Sequence, residues 1–279
     1  MLKIVLAGTP KFAVPIFEEI IKNFNVLAII SQPDKPSIRG HKILPTATKS
    51  LAEKYNIKCF QPNKIADIEN ELKSLGYDYL ITAAFGQYIP TKILNIAKKM
   101  NLNVHGSLLP KYRGASPIQY SLLNGEKETG ISLMEMVKEM DAGDIFAKLT
   151  YKIEEYDTAD ILFEKLSILS SKKIVKWIKD LDNNLLTREK QDSNLITLAP
   201  KLNKEDAFLN SNLKKQEALN KIKAFSSNPG CYLFLNNRRL KIFLATDKEV
   251  KNTIKIDFED GPIYLLDYQF ESKKRIKLI

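Results

Sequence analysis

The chain opens with Lys3-Ile-Val-Leu-Ala-Gly-Thr-Pro10, a short apolar run that ends at a glycine and a proline. This pattern is typical of a buried strand that turns sharply into a helix. A second apolar run, Val26–Ile30, follows the first helical pattern, and a later strand pattern, Tyr79–Ala84, lies between helical patterns at Ile68–Leu75 and Thr91–Lys99. Strands that alternate with helices in this way predict an α/β fold, a Rossmann-like and mostly parallel sheet with flanking helices.

The sequence changes character near residue 182. Residues 183–205 are polar and aperiodic, which predicts a linker laid over the surface. A short helical pattern comes next, and five closely spaced strand patterns then predict a small β-barrel of the oligonucleotide-binding (OB) type. We therefore expect an α/β domain over residues 1–182, the linker over 183–205 and a C-terminal OB-like domain over 206–279.

The composition excludes several classes of protein. Lys and Arg number 43 against 33 Asp and Glu, and the net charge of +10 indicates an anionic partner such as a nucleic acid, a phosphorylated ligand or an anionic membrane. Two cysteines cannot build a disulfide framework, and two histidines cannot supply a three-histidine metal site. No apolar run approaches the ~18 residues of a membrane span, and the start of the chain is too briefly apolar for a signal peptide. We expect a cytoplasmic protein without a membrane segment or a metal.

Two short segments carry candidate site residues. Along a strand side chains alternate, so Asn101, Asn103 and His105 share one face of the pattern Asn101–His105. A parallel strand is normally apolar on both faces, and these residues lie at the carboxyl end, where ligands of such sheets bind. The alternative is that they merely hydrogen-bond to the next loop. Asp141, which is followed by Ala142 and Gly143, lies between two later strand patterns, although an ordinary turn has the same composition.

Together these segments resemble the formyltransferases that use 10-formyltetrahydrofolate. The shared features are Asn-x-His at residues 103–105, Ser107-Leu-Leu-Pro110, and Asp-x-Gly at residues 141–143. Further segments are similar to the methionyl-tRNA formyltransferase family, and the resemblance covers nearly the whole chain. They are Ala7–Pro15, Gln32–Pro36, Arg39–Lys42, Tyr112–Gln119, Ala199–Leu202 and Asn228–Gly230.

The resemblance implies a reaction and three catalytic residues. A formyl group would pass from N10 of the folate to the amino group of initiator methionyl-tRNA, for translation initiation, without a covalent enzyme intermediate. Asn103 and His105 would donate hydrogen bonds to the oxyanion of the tetrahedral intermediate. Asp141 would fix the tautomer and the orientation of the His105 ring. The implied partners are folate and initiator methionyl-tRNA, and the implied oligomeric state is a monomer.

The resemblance also implies two sets of binding residues. Folate would lie against two loops, at Phe85, Gly86, Gln87, Tyr88, Ser107, Leu108, Leu109 and Pro110. For the Phe85 and Tyr88 rings, simple packing is the alternative. The tRNA would be bound at Lys35, Arg39, His41, Lys42 and Lys201. A mobile basic loop over residues 32–45 can reach the acceptor end of a tRNA, whereas an ordinary solvated loop would have the same composition.

Three other functions stay open at this point. The nearest is an N-formyltransferase that acts on a nucleotide-linked amino sugar, which would need the same three catalytic residues. The second is a hydrolase that releases formate from the same folate, with water in place of the amine. The third belongs to another class, a non-catalytic RNA-binding protein on the same fold.

Overall fold

A computed structural model describes residues 1–36 and 43–279 of the chain. The chain divides into two compact units. The first unit comprises residues 1–113, 130–150 and 164–198, and the second comprises residues 114–129, 151–163 and 199–279. The domain boundaries expected from the sequence stay a prediction. Within the described ranges, no helix is both long enough and apolar enough to cross a bilayer.

The elements up to residue 182 follow the alternating order that the sequence predicts. The strands are β1 (Lys3–Gly8), β2 (Asn25–Ile30), β3 (Lys35–Pro36), β4 (Ile43–Leu44), β5 (Cys59–Phe60), β6 (Tyr79–Ala83), β7 (Met100–His105), β8 (Glu128–Glu135) and β9 (Ile145–Lys152). The helices are α1 (Ala13–Asn23), α2 (Ala47–Lys54), α3 (Glu69–Leu75), α4 (Thr91–Leu94), α5 (Pro117–Leu123) and α6 (Ala159–Asp182).

The main sheet has seven strands in the order β5-β2-β1-β6-β7-β8-β9. The pairs β2–β5, β1–β2, β1–β6 and β6–β7 are parallel, and β7–β8 is antiparallel. This is the mostly parallel, Rossmann-like sheet expected from the sequence. Because the carboxyl ends of β1, β2, β6 and β7 meet at one edge, the loops that follow them form the ligand-binding side.

Burial of apolar side chains explains why the central strands form. Every residue of β6 is buried, as are all residues of β1 from Ile4 to Ala7. At the end of β1 the backbone approaches β6 closely, and a Cβ on Gly8 would lie 2.7 Å from the carbonyl oxygen of Ala83. Only glycine fits there. Gly76, with φ +58°, ends α3, as the sequence predicts.

One helix is shorter than expected. The sequence predicts a helix over Thr91–Lys99, but α4 ends at Leu94. The amides of Lys98 and Lys99 instead donate to the carbonyls of Tyr77 and Asp78, just before β6. The chain must be extended there to enter β7, and the backbone pairing beside the sheet outweighs the local helical pattern.

The second unit contains an antiparallel sheet that confirms the OB-like prediction. Its elements from residue 199 onward are α7 (Lys215–Phe225), β10 (Cys231–Leu235), β11 (Arg238–Thr246), β12 (Lys255–Phe258), β13 (Gly261–Phe270) and β14 (Ile276–Lys277). The strand order is β10-β11-β13-β12, and β14 pairs with β13. Helix α7 contacts β10, β11, β12 and β13 and also packs against α5. The sequence did not indicate α5.

Candidate active site

Asn103 lies at the carboxyl end of β7, where its neighbour in the sheet holds it. In the parallel register Asn103 pairs with Thr82 of β6. The Thr82 hydroxyl donates a hydrogen bond to the Asn103 side-chain carbonyl, with 2.8 Å between the oxygens. The Asp141 carboxylate on the other side of the amide only accepts, so the NH₂ group of Asn103 is turned towards Asp141 and its oxygen towards Thr82.

His105 ends β7 and is only 4% exposed. Its Nε2 lies 2.9 Å from the backbone carbonyl oxygen of Tyr112. A carbonyl oxygen only accepts, so Nε2 carries a proton and Nδ1 is the nitrogen left to exchange one. We expected from the resemblance that Asp141 would fix the tautomer of the His105 ring. In the structure, the hydrogen bond to the Tyr112 backbone carbonyl fixes it. Tyr112 has φ +63°, a left-handed conformation that aims its carbonyl at the ring.

Asp141 follows β8 and faces both β7 side chains. Its Oδ2 lies 3.6 Å from Nδ1 of His105, and its Oδ1 lies 3.4 Å from Nδ2 of Asn103. Both distances are at or beyond the limit of a hydrogen bond, so the carboxylate lies beside both groups without binding either tightly. The structure thus brings together the three residues that the sequence singles out from distant positions.

The loop that carries Asp141 is held by Gln191. The Gln191 amide NH₂ donates to the backbone carbonyls of Asp141 and Gly143, each at 2.8 Å, and its oxygen accepts from Nε of Arg113 at 3.0 Å. Asp141 itself has φ +52°. A Cβ on Gly143 would lie 2.1 Å from the carbonyl oxygen of Glu135, so the loop closes tightly against the end of β8.

The same polar segment also holds the loop that orients His105. The Thr197 hydroxyl accepts from the amide of Tyr112 at 2.9 Å, and the Thr197 carbonyl accepts from the amide of Arg113, also at 2.9 Å. Residues 191–197 therefore hydrogen-bond to both loops that position the catalytic candidates. Sequence reasoning missed Thr82, Gln191 and Thr197. For Thr82 a signal existed, because it is a polar residue within the apolar strand Tyr79–Ala83.

This arrangement combines two chemical capacities. The Asn103 NH₂ group is a donor that can stabilise negative charge developing on a substrate oxygen. Nδ1 of His105 can accept a proton, and the nearby Asp141 carboxylate would stabilise the imidazolium that results. Such a site suits the attack of an amine on an acyl or formyl carbon.

The loops after β1, β2 and β6 are tied together at the same edge of the sheet. The Phe85 carbonyl accepts hydrogen bonds from the Thr9 hydroxyl and from the Gln32 amide, each at 3.0 Å. The Gln32 amide also donates to the Gly86 carbonyl at 3.1 Å. Gly86 has φ +76°, and a Cβ there would lie 2.5 Å from the Gln32 nitrogen. The loop backbone is therefore fixed before any ligand binds.

The residues expected at folate lie in differing environments. The Phe85 side chain belongs to the apolar core cluster of the first unit, whereas Tyr88 is exposed. The Gln87 side chain is used within the fold, accepting from the amide of Ile65 and donating to the carbonyl of Pro62. The loop therefore offers a ligand its backbone and Tyr88 rather than the side chains of Phe85 and Gln87.

The second loop expected to bind folate, residues 107–110, also contains both buried and half-buried side chains. Ser107 is buried and donates to the carbonyl of Lys111, and Leu109 packs in a buried cluster with Met134 and Ile145. Leu108 and Pro110 are half-buried. Leu108 lies beside Gly130, where a Cβ would come 2.6 Å from the leucine side chain.

The loop after β2 is anchored by Asp34. Its carboxylate accepts from Nζ of Lys49 at 2.5 Å, from the Gln61 amide at 2.7 Å and from the backbone amide of Thr46 at 3.1 Å. Burial would raise the pKa of Asp34, but these hydrogen bonds outweigh it and hold the pKa below its ordinary value. The carboxylate thus holds the start of the basic loop as an anion.

The expected tRNA-binding residues are only partly within the described ranges. Lys35 and Lys201 are exposed. Arg39, His41 and Lys42 lie outside the described residues.

The described part of the chain contains no clustered set of metal-ligating side chains and no thiol with a lowered pKa. Among residues 1–36 and 43–279, no group of three or more His, Cys, Asp and Glu side chains is placed to hold a metal ion. Burial raises the pKa of the Cys59 thiol to about 11 and that of the Cys231 thiol to about 12. Both are protonated at neutral pH and are weak nucleophiles.

Comparison with known proteins identifies the family. The model described as "Formyl transferase" matches residues 2–178, and "Formyl transferase, C-terminal domain" matches residues 201–278. The methionyl-tRNA formyltransferase of Mycoplasmopsis pulmonis is 50% identical over 278 residues, which cover 99% of this chain and 96% of that protein. The chain belongs to the methionyl-tRNA formyltransferase family. A second member, from Lactobacillus acidophilus, is 40% identical, with coverage of 100% of this chain and 94% of its own.

Solved structures of more distant formyltransferases share the fold. A sugar 3N-formyl transferase determined in the presence of dTDP and 5-N-formyl-THF has a TM-score of 0.72 and 23% identity, covering 98% of this chain and 99% of that one. At this identity the likeness concerns the fold alone. It confirms the expected Rossmann-like sheet followed by an OB-like domain for this member of the methionyl-tRNA formyltransferase family.

Proposed function

We propose that this protein transfers the formyl group of 10-formyltetrahydrofolate to the amino group of initiator methionyl-tRNA, for translation initiation. The observation that carries the proposal is that Asn103, His105 and Asp141 lie side by side at the end of β7, in a chain that is 50% identical over nearly its whole length to a methionyl-tRNA formyltransferase. We place the reaction in the cytoplasm and take the enzyme to be a monomer with folate as its co-substrate.

The proposed chemistry begins with attack of the methionine amine on the formyl carbon. A carbon–nitrogen bond forms, and the formyl oxygen becomes an oxyanion that accepts a hydrogen bond from the Asn103 amide. Nδ1 of His105 accepts a proton from the attacking nitrogen, while the Asp141 carboxylate stabilises the imidazolium. The bond from carbon to N10 then breaks, and His105 returns the proton to N10. The products are formylmethionyl-tRNA and tetrahydrofolate.

Folate binding is proposed at the two loops described above. Tyr88 and Leu108 offer apolar surface, and the backbone around Gly86 offers polar groups to the edge of a flat pterin. The buried side chains of Phe85, Ser107 and Leu109 support these loops from behind. Gln87 and Pro110 complete the proposed set.

The tRNA is proposed to contact the basic loop and the second unit. Lys35, Arg39, His41 and Lys42 would meet the acceptor end, and Lys201 would meet a phosphate farther along. Residues 200–279 contain 16 Lys and Arg against 10 Asp and Glu, a surplus of positive charge suited to the body of a tRNA.

One assay separates the candidate reactions. The protein is incubated with 10-formyltetrahydrofolate and either methionyl-tRNA, a nucleotide-linked amino sugar or buffer alone, and the fate of the formyl group is followed. Formylation of methionyl-tRNA alone is the expected result. The amino-sugar alternative is kept because a solved structure of the same fold is a sugar formyl transferase. Transfer to the sugar and not to the tRNA would overturn the proposal, as would release of formate in buffer alone.

Replacing Thr82 with valine is expected to lower kcat about 3- to 10-fold with little change in KM, because the variant loses the bond that orients the Asn103 amide. Valine is close in shape, so the strand should still form. The Thr82→Ser variant keeps a hydroxyl and should restore most of the rate. Equal rates for the valine and serine variants, both below wild type, would indicate a packing effect instead.

Replacing Arg39 with leucine is expected to lower kcat/KM for methionyl-tRNA about tenfold, since a charged hydrogen bond to the tRNA would be lost. The KM for 10-formyltetrahydrofolate should not change. Lys54→Leu is a suitable control, because Lys54 is an exposed cation of the first unit that pairs with Glu18. If both variants lowered kcat/KM equally, the effect would come from general charge and not from Arg39.

A further inference from the structure

The outer face of the sheet in the second unit carries aromatic and basic side chains side by side. In the β10–β11 register Tyr232 pairs with Lys241, and Phe234 pairs with Arg239. Directly paired residues, and residues two apart on one strand, project to the same side of a sheet, so these four side chains share one face. Phe208 joins them through a backbone bridge to Tyr232. We call Phe208, Tyr232, Phe234, Arg239 and Lys241 the aromatic–basic face.

The opposite side of the same strands forms the core. Cys231, Leu240 and Ile242 alternate with the residues of the aromatic–basic face and are fully buried. Phe234 and Phe208, in contrast, are 63% and 40% exposed. Both phenylalanine rings thus lie outside the buried core of this unit. Exposed apolar groups that cluster in this way mark an interaction site.

The rings are arranged as a continuous apolar strip. The ring centroids of Phe208 and Tyr232 are 5.5 Å apart, and those of Tyr232 and Phe234 are 6.3 Å apart in an edge-on contact. The Arg239 guanidinium lies over the Tyr232 ring, 3.9 Å from its centroid. The Arg239 guanidinium therefore covers the Tyr232 ring, whereas the rings of Phe208 and Phe234 are exposed to solvent.

Arg239 and Lys241 place two positive charges on the face, and Nζ of Lys241 donates to the carbonyl oxygen of Pro229 at 3.0 Å. Neither Arg239 nor Lys241 has an ion pair with a carboxylate in the part of the chain that the structure describes. Nε of Arg239 is buried and has no hydrogen-bond partner within that part. Burial lowers the pKa of Lys241, and the neighbouring positive charges of Arg239 and Lys204 lower it further. An anion placed on this face would relieve the repulsion between these positive charges.

We propose that the aromatic–basic face is a stacking platform for an unpaired base of the tRNA, with Phe234 and Phe208 against the base and Arg239 and Lys241 on the adjoining phosphates. The proposal deepens the proposed function and rests on it for the identity of the RNA. Aromatic rings interleaved with cations on an open sheet face are what single-stranded nucleic acids require. A second copy of the chain fits less well, because a two-fold contact would set Arg239 and Lys241 against their own like charges.

The first test measures tRNA binding without folate. Phe234→Ala is expected to raise the Kd for tRNA about 5- to 150-fold, the range found when one stacking ring is removed. Phe234→Tyr keeps the ring and should bind like wild type. Tyr156→Ala, which removes an aromatic ring 41% exposed elsewhere in the second unit, is the matched control and should leave the Kd unchanged.

A salt titration and a fluorescence measurement distinguish the contribution of base stacking to tRNA binding from that of charge. Lys241→Gln is expected to reduce the slope of log Kd against log salt by about one, whereas Phe234→Ala should weaken binding with the slope unchanged. Phe234→Trp adds an exposed indole to a chain whose one tryptophan, Trp177, is buried. Its fluorescence should be quenched when tRNA is added, because a base stacks on the ring.

Several outcomes would overturn the platform. An unchanged Kd for Phe234→Ala in a variant that melts like wild type is the most direct. A change from dimer to monomer in light scattering for Phe234→Ala, with the Kd unchanged, would assign the face to self-association instead.

The platform and the proposed reaction can fail separately. If Phe234→Ala loses tRNA binding but the wild-type protein transfers no formyl group to methionyl-tRNA, the platform stands and the proposed reaction fails.

Discussion

Replacing Asn103 with alanine is expected to lower kcat for formyl transfer about 10²- to 10³-fold, the effect typical of losing one donor to an oxyanion. The KM values should change little, because the bond forms with a charge that exists only as the reaction proceeds. The donor is positioned in advance, since Thr82 of the neighbouring strand holds the amide oxygen at 2.8 Å. Single-turnover formylation at saturating concentrations of both substrates measures the effect.

The same strand supplies the matched control. Asn101 is also an asparagine of β7, two positions before Asn103, but its amide donates to the backbone carbonyl of Leu94 at 2.7 Å in a buried environment. Asn101→Ala should therefore lose about 1–3 kcal/mol of stability, because a buried carbonyl loses its partner, while the folded protein keeps its kcat. A kcat loss of the same size in both variants would mean that damage to β7, and not the lost donor, slows the reaction.

The sequence predicted those parts of the site that depend on the pattern of neighbouring residues along one strand. The polar positions 101, 103 and 105 stand out against the apolar pattern of a parallel strand, and their place at its carboxyl end predicted a ligand site. Asp141 could be added only through a family resemblance, because an Asp near a Gly is also an ordinary turn. The structure then placed its carboxylate 3.4 to 3.6 Å from Asn103 and His105.

The parts that the sequence did not predict depend on long-range contacts. The tautomer of His105 is set by a backbone carbonyl. Because every residue has such a carbonyl, no residue type in the sequence could predict this contact. Helix α5 begins at Pro117, directly after Gly114-Ala-Ser116, and its seven residues are too few for a helical period to stand out. Residues 191–197 are polar and aperiodic, and this composition predicts a linker. Their role comes from hydrogen bonds to backbone carbonyls and amides that lie 48 to 85 residues earlier in the chain.

Replacing Gln191 with glutamate is expected to lower kcat about 10²-fold, although Gln191 does not reach the substrate. A carboxylate only accepts hydrogen bonds, so it cannot bind the carbonyls of Asp141 and Gly143, and it repels both. The loop that carries Asp141 would then shift. A displacement of about 1 Å at a catalytic group costs a factor on the order of 10². Steady-state kcat and KM for both substrates should show the loss in kcat.

The glutamate substitution also separates the two contacts of Gln191. Glutamate keeps an oxygen for Nε of Arg113, so only the bonds to the Asp141 loop are removed. Arg113→Met removes the other contact alone and should cost much less in kcat. Lys190→Gln changes the exposed neighbouring residue and controls for altered charge in the segment. If Gln191→Glu keeps the wild-type kcat while its melting temperature falls, residues 191–197 stabilise the fold only. If kcat falls and the melting temperature is unchanged, the segment acts on catalysis by holding Asp141 in place.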